Sequence, residues 1–180
     1  MKKKRILVAP LNWGLGHATR SIPVINALIE EGFQPIIASD GAALTLLQKE
    51  FPKLSSIELP SYNISYAKNG KFLKLKLLTD SPKVLKAIKR EKKTVKNIVE
   101  THKIAGIISD NRLGVYNKNI PSVFITHQLN VLSGATTWLS TKIHEKFMNK
   151  FNACWVPDVE GDVNLSGKLG HTDTFEIETK

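Results

Sequence analysis

The chain has 180 residues, of which 42% are hydrophobic and 23% charged, and it carries a formal net charge of +10. This length and composition predict one globular domain with a buried core. They exclude a membrane-spanning helix, because the apolar runs, such as residues 6–9 and 104–108, fall far short of the roughly 20 residues that a span requires. The single cysteine, Cys154, excludes an internal disulfide and fits a reducing cytoplasm.

Short apolar runs alternate with segments of helical periodicity along the chain. The predicted strands cover residues 5–10, 34–39, 55–59, 104–109, 122–126 and 153–156. The predicted helices cover residues 21–31, 42–50, 81–101 and 137–150. Continuous apolar strands alternating with helices predict an α/β fold, a Rossmann-like doubly wound parallel sheet, with ligands beyond the carboxyl ends of the strands.

The positive charge is concentrated in one block. Residues 68–103 contain twelve Lys or Arg and three Asp or Glu, a net charge of +9, which leaves +1 for the rest of the chain. Most of the block is the long helix predicted from Ser81, with Ser81 as its N-cap and Pro82 in its first turn. Its expected buried stripe consists of Val84, Leu85, Ile88, Val95, Ile98 and Val99.

A glycine-containing turn follows the first strand. Gly14 and Gly16 allow the backbone to approach a ligand closely, and the helix behind them offers free N–H groups to a phosphate. As a dinucleotide fingerprint the turn is incomplete, because Thr19 occupies the place of the third glycine. With Asp40 as a ribose ligand, a nicotinamide-dependent enzyme remains an alternative, and a purely structural turn is another.

Polar residues follow three of the predicted strands. His17 begins the helix after the first strand, where the helix dipole favours a neutral imidazole that can act as a general base. Asp110 follows the fourth strand and is placed to orient such a base, although it is equally suited to capping a turn. His127, Gln128 and Asn130 follow the fifth strand. We expect these groups to meet at one edge of the sheet. His, Cys and Asp show no metal-ligand spacing, so no metal is predicted.

Two segments resemble a known family. Residues 12–20, Asn-Trp-Gly-Leu-Gly-His-Ala-Thr-Arg, resemble the glycine-rich turn of MurG-like transferases. Residues 127–139 resemble that family's His-Glu-Gln-Asn stretch with its following glycine and Trp-Leu, although Gln128 and Leu129 replace the glutamate and the glutamine. These are GT-B enzymes, related to glycosyltransferase family 28, that move N-acetylglucosamine from a uridine diphosphate carrier to a lipid-linked acceptor.

The resemblance implies a division of roles. His17 would be the general base, with Asp110 as the second catalytic residue, and a metal or other cofactor would be unnecessary. The residues that would bind the acceptor and the phosphates are Gly14, Gly16, Thr19, Arg20, His127, Gln128 and Asn130. Residues 1–157 would form the N-terminal acceptor domain, and residues 158–180 would begin the linker to a donor domain that holds most of the UDP-sugar site.

The basic block also fits the resemblance, because acceptor domains of this family sit on the membrane. Lysines that alternate with large apolar side chains favour an anionic lipid surface, which implies a cytoplasmic protein on the inner face of the cell membrane. The predicted patch consists of Phe72, Leu73, Lys74, Lys76, Lys86, Lys89, Arg90 and Lys93. The alternatives are a nucleic-acid-binding module, disfavoured because Phe72 is the one stacking aromatic in the block, and a non-catalytic binding module.

Overall fold

The structure is a computed structural model that describes residues 3–62, 73–127, 129, 137–159 and 178–179. The described strands are β1 (Arg5–Pro10), β2 (Gln34–Ser39), β3 (Ser56–Glu58), β4 (Ile104–Asp110), β5 (Ser122–Ile125), β6 (Ala153–Trp155) and β7 (Glu178–Thr179). The described helices are α1 (Gly16–Glu30), α2 (Gly41–Glu50), α3 (Leu73–His102) and α4 (Thr137–Met148).

All seven strands pair in parallel in one sheet, in the order β3-β2-β1-β4-β5-β6-β7. The order reverses between β1 and β4, where the chain leaves one half of the sheet and returns on the other side of β1. This confirms the predicted α/β, Rossmann-like parallel sheet. Ligands of such sheets bind beyond the carboxyl ends of the strands at this reversal.

Helices cover both faces of the sheet because successive side chains of a buried strand point to opposite sides. Val8 and Ile37 pack with α1 and α2 in one core cluster. Leu7 and Ile36 pack on the opposite face, together with Val95 of α3. The central strands are therefore mostly apolar along their length, because both of their faces are buried.

Helix α1 begins five residues earlier than predicted. Its first backbone hydrogen bond runs from the Thr19 amide to the Leu15 carbonyl, so the helix includes His17 and Arg20. Pro23 lies in its interior and gives up one backbone hydrogen bond. The earlier start places two polar side chains on the first turns of a fixed helix rather than on a loop.

Helix α3 also begins earlier than predicted, and the proposed cap at Ser81 is wrong. The helix starts at Leu73 and continues through Ser81 and Pro82, because the preceding leucines and lysines are strong helix formers. The buried stripe is correct at Ile88 but wrong at Leu85, which is 45% exposed. Successive residues of a helix are rotated by about 100° around its axis, and this rotation places Leu85 outside the buried stripe.

The segment predicted as a linker contributes a strand. Residues 178–179 form β7 and pair with β6, which the sequence did not indicate. The remainder of the linker, residues 160–177 and 180, lies outside the described residues. No described helix combines the length and the apolar character needed to cross a membrane.

Candidate active site

Three neighbouring strands end at the same level of the sheet. Pro10 of β1 pairs with Asp110 of β4, and Asp110 pairs with Ile125 of β5. The pairing extends past the strand ends, since the Leu11 amide donates to the Asp110 carbonyl and the Asn111 amide to the Ile125 carbonyl. Segments that leave these three strands are therefore held side by side, which brings their polar residues together.

The turn after β1 is open and exposed. Gly14 has a φ of +70°, which favours glycine, and the environment of Gly16 leaves room for a side chain, because no heavy atom lies within 4 Å of a Cβ built there. Trp13 and Leu15 are exposed on either side of Gly14. The turn and the first N–H groups of α1 thus present an accessible surface beside His17.

His17 contacts Asp110. Its Nδ1 lies 2.9 Å from Oδ1 of Asp110, and the two side chains are 11% and 1% exposed. Since a carboxylate can only accept a hydrogen bond, Nδ1 carries the hydrogen and donates it. The hydrogen bond leaves the lone pair of the imidazole on Nε2, where it can take a proton from a bound substrate.

Arg20 binds the same carboxylate. Its Nε donates to Oδ2 of Asp110 at 2.7 Å, and its Nη2 donates to Oδ1. Its Nη2 also lies 2.7 Å from Nδ1 of His17, but both of these atoms donate to Oδ1, so we read this distance as a consequence of sharing that oxygen. Arg20 was predicted to bind phosphate. Asp110 occupies the Nε and Nη2 edge of the guanidinium, and a phosphate contact through its remaining N–H groups stays a prediction.

His127 joins the group through Arg20, whose Nη1 lies 3.3 Å from Nδ1 of His127. Burial lowers the pKa of His127, and the positive charge of Arg20 and the proximity of His17 lower it further, against the opposing effect of Asp110. His127 is therefore held neutral near pH 7. The structure thus brings together His17 from the segment after β1, Asp110 from the end of β4 and His127 from the segment after β5.

The other predicted binding residues have different outcomes. Thr19 is exposed, and its hydroxyl lies 3.1 Å from the carbonyl oxygens of Leu15 and of Gly16, so it bonds to the start of its own helix. Gln128 and Asn130 lie outside the described residues. Their roles stay predictions.

Asp40 is not placed to bind a ribose, which removes the main support for the nicotinamide alternative. It is 5% exposed, and its Oδ1 accepts a hydrogen bond of 2.6 Å from Nη1 of Arg112. Its Oδ2 accepts a hydrogen bond of 3.3 Å from the Asn12 side chain. Both carboxylate oxygens are thus engaged inside the protein.

Arg112 and Glu91 form a buried ion pair that the sequence did not reveal. Nε of Arg112 donates to Oε1 of Glu91 at 2.6 Å, and both side chains are 0% exposed. Oε2 of Glu91 accepts from the Tyr62 hydroxyl at 2.6 Å and from the Gly114 amide at 3.0 Å. The available signal was position, because Glu91 lies in the apolar stripe of α3, three residues after Ile88 and four before Val95.

This ion pair connects α3 to the segments that follow β2 and β3. Arg112 donates to the Pro60 carbonyl after β3 at 2.8 Å, in addition to Asp40 after β2. Burial alone would lower the pKa of Arg112, but Glu91 and Asp40 raise it, so the guanidinium stays charged. Burial raises the pKa of Glu91, against the opposing charge of Arg112.

Two further titratable groups lie apart from this site, a buried Cys154 and a half-buried His144. Burial raises the pKa of Cys154 to about 12, which makes it the inert thiol that its apolar surroundings predict. Burial lowers the pKa of His144 to about 4. Within the described part of the chain, no group of three or more His, Cys, Asp or Glu residues could hold a metal ion.

The parallel sheet defines a Rossmann-like α/β protein, with a histidine–aspartate pair at its topological switch point. No protein-family model matches the chain. Its sequence is 33% identical over 147 residues to the UDP-N-acetylglucosamine--N-acetylmuramyl-(pentapeptide) pyrophosphoryl-undecaprenol N-acetylglucosamine transferase of Clostridium tetani. The similarity covers 78% of this chain and 38% of the relative, so the chain spans less than half of that relative's length.

Solved structures show the same fold. MurG of Acinetobacter baumannii superposes with a TM-score of 0.57 at 11% identity, over 98% of this chain and 44% of MurG. The glycosyltransferase of Rickettsia africae gives 0.54 at 18% identity, over 88% and 38%. The spinosyn rhamnosyltransferase SpnG gives 0.58 at 13%, over 85% and 45%. The chain is thus a MurG-like sequence with the Rossmann-like fold of GT-B glycosyltransferases, which confirms the resemblance found in the sequence.

Proposed function

We propose that this chain is the acceptor-side domain of a MurG-like glycosyltransferase. The enzyme would transfer a sugar from a UDP-sugar to a lipid-linked or cell-envelope acceptor, with N-acetylglucosamine as the sugar by analogy with the C. tetani relative. The observation that carries the proposal is the hydrogen bond between His17 and Asp110 at the carboxyl edge of the sheet. A second domain would supply most of the contacts to the donor.

In this mechanism His17 acts as the general base. Its Nε2 takes the proton of an acceptor hydroxyl while that oxygen forms a bond to the anomeric carbon of the donor sugar. The bond between that carbon and the diphosphate oxygen breaks, and UDP leaves with the electron pair. Asp110 holds the imidazole in orientation and compensates its positive charge after proton transfer, as an acid behind a histidine does in other enzymes.

The turn after β1 suits a diphosphate. Gly14 and Gly16 leave open space beside the first N–H groups of α1, and helix N-termini favour negative charge. The positive end of the helix would stabilise phosphate charge without a metal, so we propose that the enzyme requires no cofactor. His127, Gln128 and Asn130 remain the proposed acceptor ligands.

The basic face of α3 is the proposed membrane contact. The side chains of Lys86, Lys89, Arg90 and Lys93 are exposed, and Leu85 adds an exposed apolar side chain next to them. Phe72 lies outside the described residues, and Leu73, Lys74 and Lys76 fall in the first turn of α3. A domain bound to the inner leaflet through this face would be cytoplasmic and peripheral. No nucleic-acid partner is proposed.

The test is a transfer assay on the complete enzyme, comprising this chain and the donor-binding domain that the proposal requires. With a lipid-linked diphosphate-sugar acceptor, UDP should be released from UDP-N-acetylglucosamine. His17→Gln should lower kcat roughly 10²–10⁴-fold, as expected for the loss of a general base. Glu30→Gln, an exposed change at the far end of α1, is the control and should leave kcat unaltered. An undiminished rate in His17→Gln would remove the assigned base, and no UDP release with any acceptor would favour a non-catalytic binding module.

A further inference from the structure

The two histidines of the site are connected through one arginine, and each contacts it with the same ring nitrogen. Nδ1 of His17 and Nδ1 of His127 both lie near the guanidinium of Arg20. Their surroundings differ, because Asp110 lies beside His17 and accepts its hydrogen, whereas the guanidinium donates to His127. Neutral histidine has two tautomers, and the hydrogen bond made by one nitrogen decides which nitrogen keeps the hydrogen.

We propose that Arg20 is a positioning residue that fixes the tautomer of His127 and thereby gives the two histidines opposite roles. Nη1 of Arg20 donates to Nδ1 of His127, so Nδ1 carries the lone pair and Nε2 carries the hydrogen. In His17 the arrangement is reversed, with the hydrogen on Nδ1 and the lone pair on Nε2. His17 therefore offers a base, while His127 offers a hydrogen-bond donor to an oxygen of the acceptor substrate.

The geometry also explains why one arginine suffices for both tasks. Its Nε and Nη2 are held by Asp110, which is 1% exposed and fixes the plane of the guanidinium. One of the two N–H groups of Nη1 is then directed toward His127. A lysine has one nitrogen in place of this planar fork and therefore lacks the fixed geometry that aligns the imidazole relative to the carboxylate.

The charges around His127 support a neutral donor. Arg20 on α1 and His17 on the same helix disfavour protonation of His127, and Asp110 at the end of β4 opposes them. Burial acts in the same direction as Arg20 and lowers the pKa of His127, which favours its neutral form near pH 7. A protonated His127 would carry hydrogen on both nitrogens and would repel Arg20.

This inference rests on the proposed function for its catalytic meaning, but its test does not require turnover. Long-range ¹H–¹⁵N correlation spectra of the 180-residue chain, labelled at histidine, report which ring nitrogen carries hydrogen. His17→Gln and His127→Gln assign the signals. We expect the Nδ1–H tautomer for His17 and the Nε2–H tautomer for His127 at neutral pH. If His127 of the parent protein had the opposite tautomer, that spectrum alone would overturn the proposal.

Variants of Arg20 test its role directly. In Arg20→Gln, His127 should become a mixture of tautomers and its pKa should rise, because a positive charge has been removed. Arg20→Lys keeps the charge and should give a smaller rise in pKa but the same loss of tautomer preference. Arg90→Gln, an equal change in charge on the exposed face of α3, is the control and should leave both signals unchanged.

The outcomes separate this inference from the proposed function. A His127 tautomer and pKa unaltered in a folded Arg20→Gln protein, verified by circular dichroism, would show that Arg20 does not set them. Absence of transfer by the complete enzyme would instead overturn the proposed activity and leave the tautomer result in place.

Discussion

Close contact between Gly114 and α3 shows how a single residue supports the site at a distance. A Cβ built at Gly114 would lie 2.6 Å from the Ile88 carbonyl oxygen and 2.7 Å from Oε2 of Glu91. The Gly114 amide donates to that same carboxylate oxygen. The segment after β4 can therefore approach the helix only where a side chain is absent, and this approach places Arg112 against Glu91.

Gly114→Ala should destabilise the protein by about 1–3 kcal/mol, because neither the backbone oxygen nor the fixed carboxylate can move away cheaply. Urea unfolding of the chain, monitored by circular dichroism, gives the measurement. Gly16→Ala is the matched control, since no heavy atom lies within 4 Å of a Cβ there and Gly16 is helical. The prediction fails if the two substitutions change the unfolding midpoint equally.

His144 should make the stability depend on pH. Its Nδ1 is buried and has no hydrogen-bond partner among the described residues, and its pKa is about 4 against about 6.5 in an unfolded chain. The unfolded state then binds the proton more readily than the folded state does. The free energy of unfolding therefore keeps its full value above pH 6.5 and decreases as the pH falls toward 4. The loss amounts to about 3 kcal/mol at most.

Measuring the free energy of unfolding between pH 7 and pH 4 tests this expectation. His144→Leu should flatten the decline over that range, because the ring beside Phe124 is replaced by a group that does not titrate. His102→Leu, at the end of α3, should keep the decline of the parent protein. An equally steep decline in His144→Leu would assign the pH dependence to other groups.

Among the helices and strands, α3 supports the site through its buried face and carries positive charge on its exposed face. Its buried stripe includes Glu91, whose ion pair with Arg112 connects the helix to the segments after β2 and β3. Its opposite face carries exposed lysines. Because the helix precedes β4 and runs against the parallel strands, its N-terminal part lies at the edge of the sheet where the strands end.

Breaking the buried ion pair from one side should be costly. Arg112→Met should destabilise the protein by about 3–5 kcal/mol, because it leaves Glu91 and Asp40 buried without the positive charge that compensates them. Thermal unfolding at pH 7 provides the measurement. Arg5→Met is the control, because half-buried Arg5 donates to the His102 carbonyl but has no buried carboxylate to leave unpaired. Equal losses in the two variants would contradict the assignment.

The elements differ in how far the sequence could predict them. Strands β1, β2 and β4 were predictable within a residue or so, because burial on both faces makes them continuous apolar runs. The start of α3 was not, because Ser81 and Pro82 form a local capping signal that the helix overrides. The convergence of His17, Asp110 and His127 was predictable from strand order, because both histidines follow strands that neighbour β4. The contacts of Arg20 and Arg112 were not predictable, because strand order does not show which carboxylate a guanidinium reaches.

Over the whole molecule, the net charge of +10 is unevenly distributed. Residues 68–103 account for +9 of it, and the lysines of α3 from Lys83 to Lys96, whose side chains the structure describes, are exposed. A nucleic acid and an anionic membrane would both be attracted by this charge. They differ in their response to apolar side chains, because only a lipid surface gains from burying them. Exposed Leu85 beside these lysines therefore favours the membrane.

Co-sedimentation of the chain with liposomes tests whether this surface binds a membrane. Binding should rise with the fraction of anionic lipid and fall with salt, because screening weakens the attraction of each lysine, about 1 kcal/mol near such a surface. The test variant replaces four basic residues of the patch by glutamine, namely Lys86, Lys89, Arg90 and Lys93. Its affinity should fall by roughly 10²–10³-fold. The control variant removes the same charge from four exposed lysines elsewhere, namely Lys49, Lys53, Lys118 and Lys146.

Replacing apolar residues by serine distinguishes a membrane from a nucleic acid as the partner, because these substitutions leave the net charge unchanged. Phe72→Ser, Leu73→Ser and Leu85→Ser should weaken liposome binding further, since each removes a side chain that could enter the lipid interface. The same substitutions should not affect the weak, salt-sensitive attraction of any lysine-rich helix to nucleic acid. Equal losses in the two quadruple variants would show that net charge, rather than this face of α3, brings the protein to the membrane. Binding to DNA or RNA with no affinity for either neutral or anionic liposomes would replace the membrane with a nucleic acid as the partner of the basic block.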